Sequence, residues 1–128
     1  MKYFAVALAA AVLVAGCSTK NRYEREADKI TQAVIANNMA PVFGDFDSQA
    51  QATIRRVAVA RLADELNGQG KYQGVQEIQV QNEPPTTHTF NAKFEKHTYT
   101  EIMTLDDNGK VRTWNIHMQY LPSASPTP

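Results

Sequence analysis

The sequence begins with one positive charge at Lys2, followed by an unbroken run of apolar or small residues from Tyr3 to Gly16. A helix that crosses a membrane needs about 20 apolar residues, so this run is too short to be a membrane span. Its length and the charge before it are typical of an export signal. We therefore predict that residues 1–16 direct the chain out of the cytoplasm and are then removed.

The apolar run closes with Val14, Ala15, Gly16 and Cys17. This stretch resembles the lipobox of bacterial lipoproteins, in which a branched or long apolar residue and two small residues precede a cysteine. The resemblance implies cleavage between Gly16 and Cys17, a diacylglycerol on the Cys17 thiol and acylation of the new amine, for example by palmitate. Two or three acyl chains, at ~0.8 kcal/mol per buried CH₂, anchor a protein stably. A plain secretory signal and an uncleaved anchor are the alternatives.

Two short segments flank the expected domain. In lipoproteins of Gram-negative bacteria an aspartate after the cysteine favours the inner membrane, and Ser18 stands there instead. The resemblance therefore implies an outer-membrane lipoprotein that faces the periplasm. Residues 17–21 form a short lipidated linker, which predicts that the domain over residues 22–121 lies close to the membrane. Residues 122–128 contain only Pro, Ser, Ala and Thr and are predicted to be a disordered tail.

Charge and cysteine content exclude several classes of function. One of the 13 basic residues, Lys2, lies in the expected signal, so the mature part carries 12 basic against 13 acidic residues. A nucleic-acid partner normally requires a clustered basic excess, so we expect none. Cys17 is the only cysteine, which leaves the domain without a thiol for a disulfide, a zinc site or a nucleophile.

The first helix is predicted over residues 22–38. Asn21 is its expected cap, and Glu24 completes a capping box three residues later. Apolar residues at helical spacing predict its buried face: Tyr23, Ala27, Ile30 and Val34.

The second helix is predicted as one continuous element over residues 49–67. Ser48 and Gln51 fit a capping box, and Gly68 fits the left-handed position after the last turn. Its apolar row is interpreted as core: Ile54, Val57, Ala58, Leu62 and Leu66. A loop over residues 39–46 joins the two helices.

Beyond residue 70 the apolar period changes from helical spacing to two, which indicates strands. We predict strands over residues 71–80, 87–105 and 110–121, the second long enough to bend or carry a bulge. Pro84 and Pro85 end the first strand, and residues 106–109, Asp-Asp-Asn-Gly, form a hairpin turn.

The predicted fold class is α+β: two N-terminal helices packed on a three-stranded antiparallel meander, as a two-layer sandwich. Trp114, Ile116, Met118 and Tyr120 are expected on one face of the last strand. The register of its hairpin is open, because different loop lengths place Trp114 opposite either Met103 or Ile102.

Catalytic and metal-binding motifs are not recognised in this sequence. His88, His97 and His117 are interpreted as exposed strand residues, since no metal-binding spacing links them. Asp45 and Asp47 form a candidate acid–base pair, but favouring a helix N-terminus is the simpler interpretation. We predict a protein that is not an enzyme and has no cofactor and no metal.

Arg55, Arg56 and Arg61 are the one basic cluster. They are the candidate partner surface, because arginine is enriched at protein interfaces. The alternatives are contact with anionic lipid headgroups and a plain solvated helix face.

The order of helices and strands after a lipobox resembles the layout of the small lipoprotein subunit of the outer-membrane β-barrel assembly machinery. The family's Gly-Met-Thr helix start and Leu-Gly-x-Pro turn are replaced here by Asp-Ser-Gln at residues 47–49 and Asn-Gly-Gln-Gly at residues 67–70. The resemblance therefore implies a fold layout and assigns no role to any residue.

Three functions follow as hypotheses. The first is a non-enzymatic binding or structural accessory subunit of a cell-envelope secretion or assembly complex, with an envelope protein as partner. The second is a protective inhibitor of lysozyme, phage or plasmid entry that blocks through residues 39–46 and 84–88. The third is a carrier of a small apolar ligand, suggested by the methionines and the aromatic last strand: Met39, Met103 and Met118, with Trp114 and Tyr120.

Overall fold

Four helices precede four strands in the computed structural model, which describes residues 20–119. The helices are α1 (Arg22–Ile35), α2 (Ala40–Phe43), α3 (Ser48–Gln51) and α4 (Arg56–Asn67). The strands are β1 (Tyr72–Gln81), β2 (Thr87–Phe94), β3 (Thr98–Leu105) and β4 (Val111–Met118). The expected signal, the lipidation of Cys17 and the tail over residues 122–128 lie outside the described residues.

Helix α1 begins as predicted. The Asn21 side chain accepts hydrogen bonds from the backbone N–H groups of Tyr23 and Glu24, both at 2.8 Å, and the Glu24 carboxylate accepts from the Asn21 N–H at 3.2 Å. This reciprocal capping box satisfies donors that a helix start leaves free. The helix ends at Ile35 rather than at residue 38, because Asn37 adopts a left-handed conformation with φ of 54°.

The predicted continuous second helix is wrong. Asp47, rather than Ser48, caps the single turn of α3 by accepting from the Ala50 N–H at 2.8 Å. The Thr53 hydroxyl then donates to the Ala50 carbonyl at 2.8 Å, and Arg55 is extended, with φ of −116°. A side chain that bonds the helix backbone competes with continuation of the helix, so the chain turns before α4 begins.

The sheet has four strands, so the prediction of three is also wrong. The segment expected to be one long strand folds back on itself, and the Phe94 N–H donates to the His97 carbonyl at 3.0 Å to close a tight turn between β2 and β3. All neighbouring strands are antiparallel, in the order β1-β2-β3-β4. The coarser α+β prediction, helices followed by an antiparallel sheet, is confirmed.

The β3–β4 register places Trp114 opposite Met103. This settles the open alternative and puts Trp114 on the same face as the fully buried Met103. Ile116 and Met118, at alternate positions, share that face and pack against the core, as predicted. Tyr120 lies outside the described residues.

The helices cover one face of the sheet, where the core lies. Its fully buried side chains are Ala27, Ile30, Val42, Leu66, Phe90, Ala92, Tyr99 and Met103. The loop predicted over residues 39–46 contains α2 and is held to this core by Val42 and Phe46. Among residues 20–119, no helix is long and apolar enough to cross a membrane.

The turn between α4 and β1 needs a glycine at a different place from the one predicted. Gly68 is right-handed, with φ of −71°, whereas Gly70 has φ of +86°. A Cβ on Gly70 would lie 2.5 Å from the Glu95 carboxylate, which accepts from the Lys71 N–H at 2.8 Å. The absence of a side chain at Gly70 therefore lets the two turns approach each other.

Candidate functional site

The first half of helix α4 is poorly covered by the rest of the domain. Val57 is 68% exposed and Ala58 is exposed, although both were predicted to be core. Ala63 and Leu66, near the other end of the helix, are buried. The break before Arg55 explains the difference, because it lets α4 leave the line of α3 and pack on α1 mainly through its later turns.

An apolar groove of about 530 Å³ lies between α4, α3 and the edge strand β4. We call it the Trp114 groove, after the indole that forms part of its wall. Apolar side chains dominate its lining, including Met39, Phe46, Ile54, Ala58, Leu62 and Trp114. A concave apolar site with a few polar groups at its edge is the usual form of a binding pocket.

A second groove, of about 540 Å³, runs along the other side of α4. We call it the Phe43 groove; Phe43 in its wall is 41% exposed. Met39, Ile54 and Val59 line both grooves. The two grooves and the half-helix between them form one apolar region, here named the α4 surface.

The three arginines predicted as a partner surface are all exposed on or beside α4. Arg55 lines the Trp114 groove and Arg56 the Phe43 groove, while Arg61 lines neither. Within the described residues, none of the three forms an ion pair. Arg112, which also borders the Trp114 groove, is held instead by the Asp47 carboxylate at 2.9 Å. The structure thus places two unpaired cations at the edges of apolar grooves.

A buried carboxyl group lies behind Trp114. Glu101 is 0% exposed, and its Oε1 accepts a hydrogen bond from the Trp114 indole N–H at 3.0 Å. Its Oε2 lies 2.5 Å from the Thr31 hydroxyl oxygen, which is also 2.7 Å from the Ala27 carbonyl oxygen. Burial raises the pKa of Glu101 to about 7, against the lowering effect of its hydrogen bonds with Thr31 and Trp114.

Sequence reasoning missed Glu101, although a signal was present. Tyr99, Glu101 and Met103 alternate along β3 and are all fully buried. An acidic residue at the centre of an apolar period-two face predicts a buried, hydrogen-bonded carboxyl. The signal was lost because the long predicted strand left the inward face of this segment undefined.

The histidines are not brought together. His88 was predicted to be exposed, but it is only 2% exposed; its Nδ1 lies 2.5 Å from a Glu77 carboxylate oxygen and its ring stacks on Tyr23. His97 is exposed in the β2–β3 turn, and His117 is exposed on the outer face of the sheet. Within residues 20–119, no group of three or more metal-ligating side chains is found.

The two acids predicted as a pair are engaged separately. Asp47 caps α3, whereas Asp45 binds the Lys29 ammonium at 3.0 Å and shares a hydrogen bond with Glu26. Burial raises the pKa of Glu26 to about 7, and the hydrogen bond to Asp45 adds to the rise. For Asp45, burial acts to raise the pKa, but the hydrogen bonds with Glu26 and Lys29 outweigh it and lower the pKa.

The α4 surface is therefore the candidate site: an apolar region with unpaired arginines, backed by the buried Glu101–Trp114 pair. No family model matches the sequence, and neither the curated proteins nor the solved structures contain a significant match to it.

Proposed function

We propose that this protein is a bacterial lipoprotein, anchored through lipid on Cys17 in the outer membrane and facing the periplasm, that acts as a non-enzymatic accessory subunit of a cell-envelope complex. In this proposal the α4 surface binds an apolar segment of a partner protein. The exposed apolar half of α4, between two grooves, is the observation that carries the proposal.

The character of the surface supports a protein partner. Large contiguous apolar patches on a soluble domain mark interaction sites, because exposing them to water is unfavourable. Trp114 and the arginines Arg55 and Arg56 are of the residue types that contribute most to binding energy at interfaces, and Phe43 is of a type that is enriched there. They lie around the same half-helix, so one partner segment can contact all of them.

The expected anchor agrees with such a role. Three residues separate Cys17 from Asn21, and the four residue-to-residue steps of an extended chain span at most about 14 Å. A domain on so short a linker works next to the membrane that holds it. The partner is then expected to be membrane-embedded or membrane-associated.

Affinity isolation of the full-length protein from solubilised envelopes tests the proposal. We expect the wild type to recover a stoichiometric partner and Ala58→Glu to lose it, because the new carboxylate would be buried in the apolar contact. Asn115→Glu introduces the same carboxylate on the exposed outer face of the sheet, away from α4. It is the matched control and should retain the partner. Isolation of wild-type protein without a partner, or equal recovery with Ala58→Glu, would contradict the proposal.

A small apolar ligand is the second candidate, and the size of the Trp114 groove favours it. A volume of about 530 Å³ is within the range of small-molecule sites. Of the methionines that suggested a carrier, Met39 lines the groove, whereas Met103 is fully buried in the core. Solvent extraction and mass spectrometry of the purified full-length protein test this candidate: a stoichiometric apolar compound supports it, and an empty extract removes it.

A further inference from the structure

The Trp114 side chain joins the groove to the core. It lies on β4, an edge strand of the sheet, and lines the Trp114 groove. Its indole N–H points to Glu101 Oε1 at 3.0 Å. The orientation of this groove wall is therefore tied to a titratable group that no part of the proposed function uses.

Hydrogen-bond geometry indicates that Glu101 is neutral in this arrangement. The Thr31 hydroxyl has one hydrogen, yet two oxygens lie within hydrogen-bonding distance of it, the Ala27 carbonyl and Glu101 Oε2. If the carboxyl carries a proton, Glu101 donates to Thr31, Thr31 donates to Ala27, and Trp114 donates to Glu101. Every polar atom of the group then has a partner, which is the usual condition of buried polar groups.

The surroundings of Glu101 provide no compensating positive charge. Across the sheet it pairs with Phe90 on β2 and Ile116 on β4, both apolar. The titratable groups that act on it are Asp28 from α1 and Tyr72 from β1, and the Tyr72 hydroxyl donates to Asp28 at 2.6 Å.

The other elements that pack around Glu101 also bring no positive charge to it among the described residues. On α4 the nearest acid, Glu65, accepts a hydrogen bond from Tyr99, two residues before Glu101 on β3. Within residues 20–119 no cation forms an ion pair with Glu101. A charge on Glu101 would therefore be buried without a counter-ion and would be stabilised chiefly by water.

We propose that Glu101 is a positioning residue for the Trp114 groove: while its carboxyl is neutral, the indole stays packed in the groove wall. A carboxylate would accept a stronger hydrogen bond from the indole, but a buried charge without a counter-ion favours an arrangement in which the indole moves aside and water reaches it, and this weakens binding in the groove. In this proposal water enters on the side of Trp114, because β4 is the edge strand of the sheet among residues 20–119 and the segment around Phe46 pairs only with its first residue, Val111. This inference rests on the proposed function, because it concerns the regulation of the same site.

The direction of the effect follows from linkage. An apolar occupant that covers Trp114 removes water from the indole and from the carboxyl behind it, so it favours neutral Glu101. Binding and protonation then strengthen each other by the same factor. An occupant that raises the pKa of Glu101 by one unit binds the neutral form about tenfold more tightly than the ionised form.

Tryptophan fluorescence of the full-length protein tests the inference without any partner, because Trp114 is the only tryptophan in the chain. We expect quenching by acrylamide, a neutral probe, to increase with pH through one transition whose midpoint lies at or below about pH 7, the pKa of Glu101 while it is buried. Glu101→Gln keeps an acceptor for Trp114 and a donor for Thr31 at every pH, so the transition should disappear. Glu26→Gln is the matched control and should retain it, because Glu26 has a pKa raised to a similar value but bonds Asp45 instead of Trp114.

The single indole N–H resonance of the wild type gives a second measurement that needs no variant. Its chemical shift should titrate with the same midpoint as the quenching. Quenching and chemical shift that are constant between about pH 5 and 9, or a transition that persists in Glu101→Gln, would overturn the inference. Neither result depends on a partner, so a failure here is distinct from a failure of the affinity isolation.

Discussion

Substitution of Glu101 by glutamine should stabilise the protein at high pH and do little at low pH. Glutamine has nearly the same shape, stays neutral, and can accept from the Trp114 N–H while donating to the Thr31 hydroxyl. The variant therefore removes the titration and keeps the hydrogen bonds that surround Glu101 in the core.

The magnitude follows from the pKa of Glu101, which is about 7 in the folded protein against an ordinary value of 4.5. Below the ordinary value the carboxyl is protonated whether the chain is folded or unfolded, so it exerts no penalty. Above pH 7 it is ionised in both states, and folding must bury the charge. At 1.36 kcal/mol for each pKa unit, the free energy of unfolding of the wild type should fall by roughly 3 kcal/mol between about pH 4.5 and 8.

Urea unfolding of the full-length wild type and of Glu101→Gln across this pH range measures the effect. The difference between the two proteins is the decisive quantity, because Glu26 also has a pKa raised to about 7 and contributes to both profiles alike. We expect the advantage of the variant to grow between about pH 4.5 and 7 and to level off above pH 7. A difference that is independent of pH, or a variant that is less stable at pH 8, would refute the argument.

Other substitutions test the fold and the anchor. Gly70→Ala should lower the free energy of unfolding by about 1 kcal/mol more than Gly74→Ala. Both positions have positive φ, but only at Gly70 would the new Cβ lie against Glu95. Urea unfolding of the two variants measures this difference, and equal losses of stability would contradict the prediction. Asp47→Ala should lower the urea midpoint at neutral pH. The pKa of Asp47 is lowered, first by the backbone hydrogen bond from α3 and then by Arg112, so this loss should begin to shrink only as the pH falls below about 4; a loss that does not shrink with further acidification would contradict the assignment. Cys17→Ser should abolish incorporation of labelled palmitate, and label retained by the variant would exclude lipidation at this residue.

The parts of the fold that depend on local sequence signals were predictable. The capping box of Asn21 and Glu24 is formed as expected, and the apolar stripe of α1 faces the core. The inward face of β4 was also evident from the alternation of Trp114, Ile116 and Met118. Each of these patterns lies within one element and needs no knowledge of its neighbours.

The errors arose where a short-range backbone turn interrupts a periodic pattern without a glycine or proline to mark it. The second helix was predicted to continue from residue 49 into the apolar row that begins at Ile54, yet the Thr53 hydroxyl bonds the Ala50 carbonyl and the helix breaks there. The tight turn after Phe94 carries no glycine or proline, so nothing in the sequence separated β2 from β3. Partial exposure of α4, and with it the candidate site, follows from the helix break and was for that reason not predictable.

The central claim is that the α4 surface binds a partner protein, and site-specific photocrosslinking in intact cells tests it most directly. A photoreactive amino acid at Ala58, which is exposed and lines the Trp114 groove, should give one discrete protein adduct. The same amino acid at Asn115, on the outer face of the sheet, should give none. Adducts of equal yield from both positions, or no adduct from Ala58, would contradict the claim.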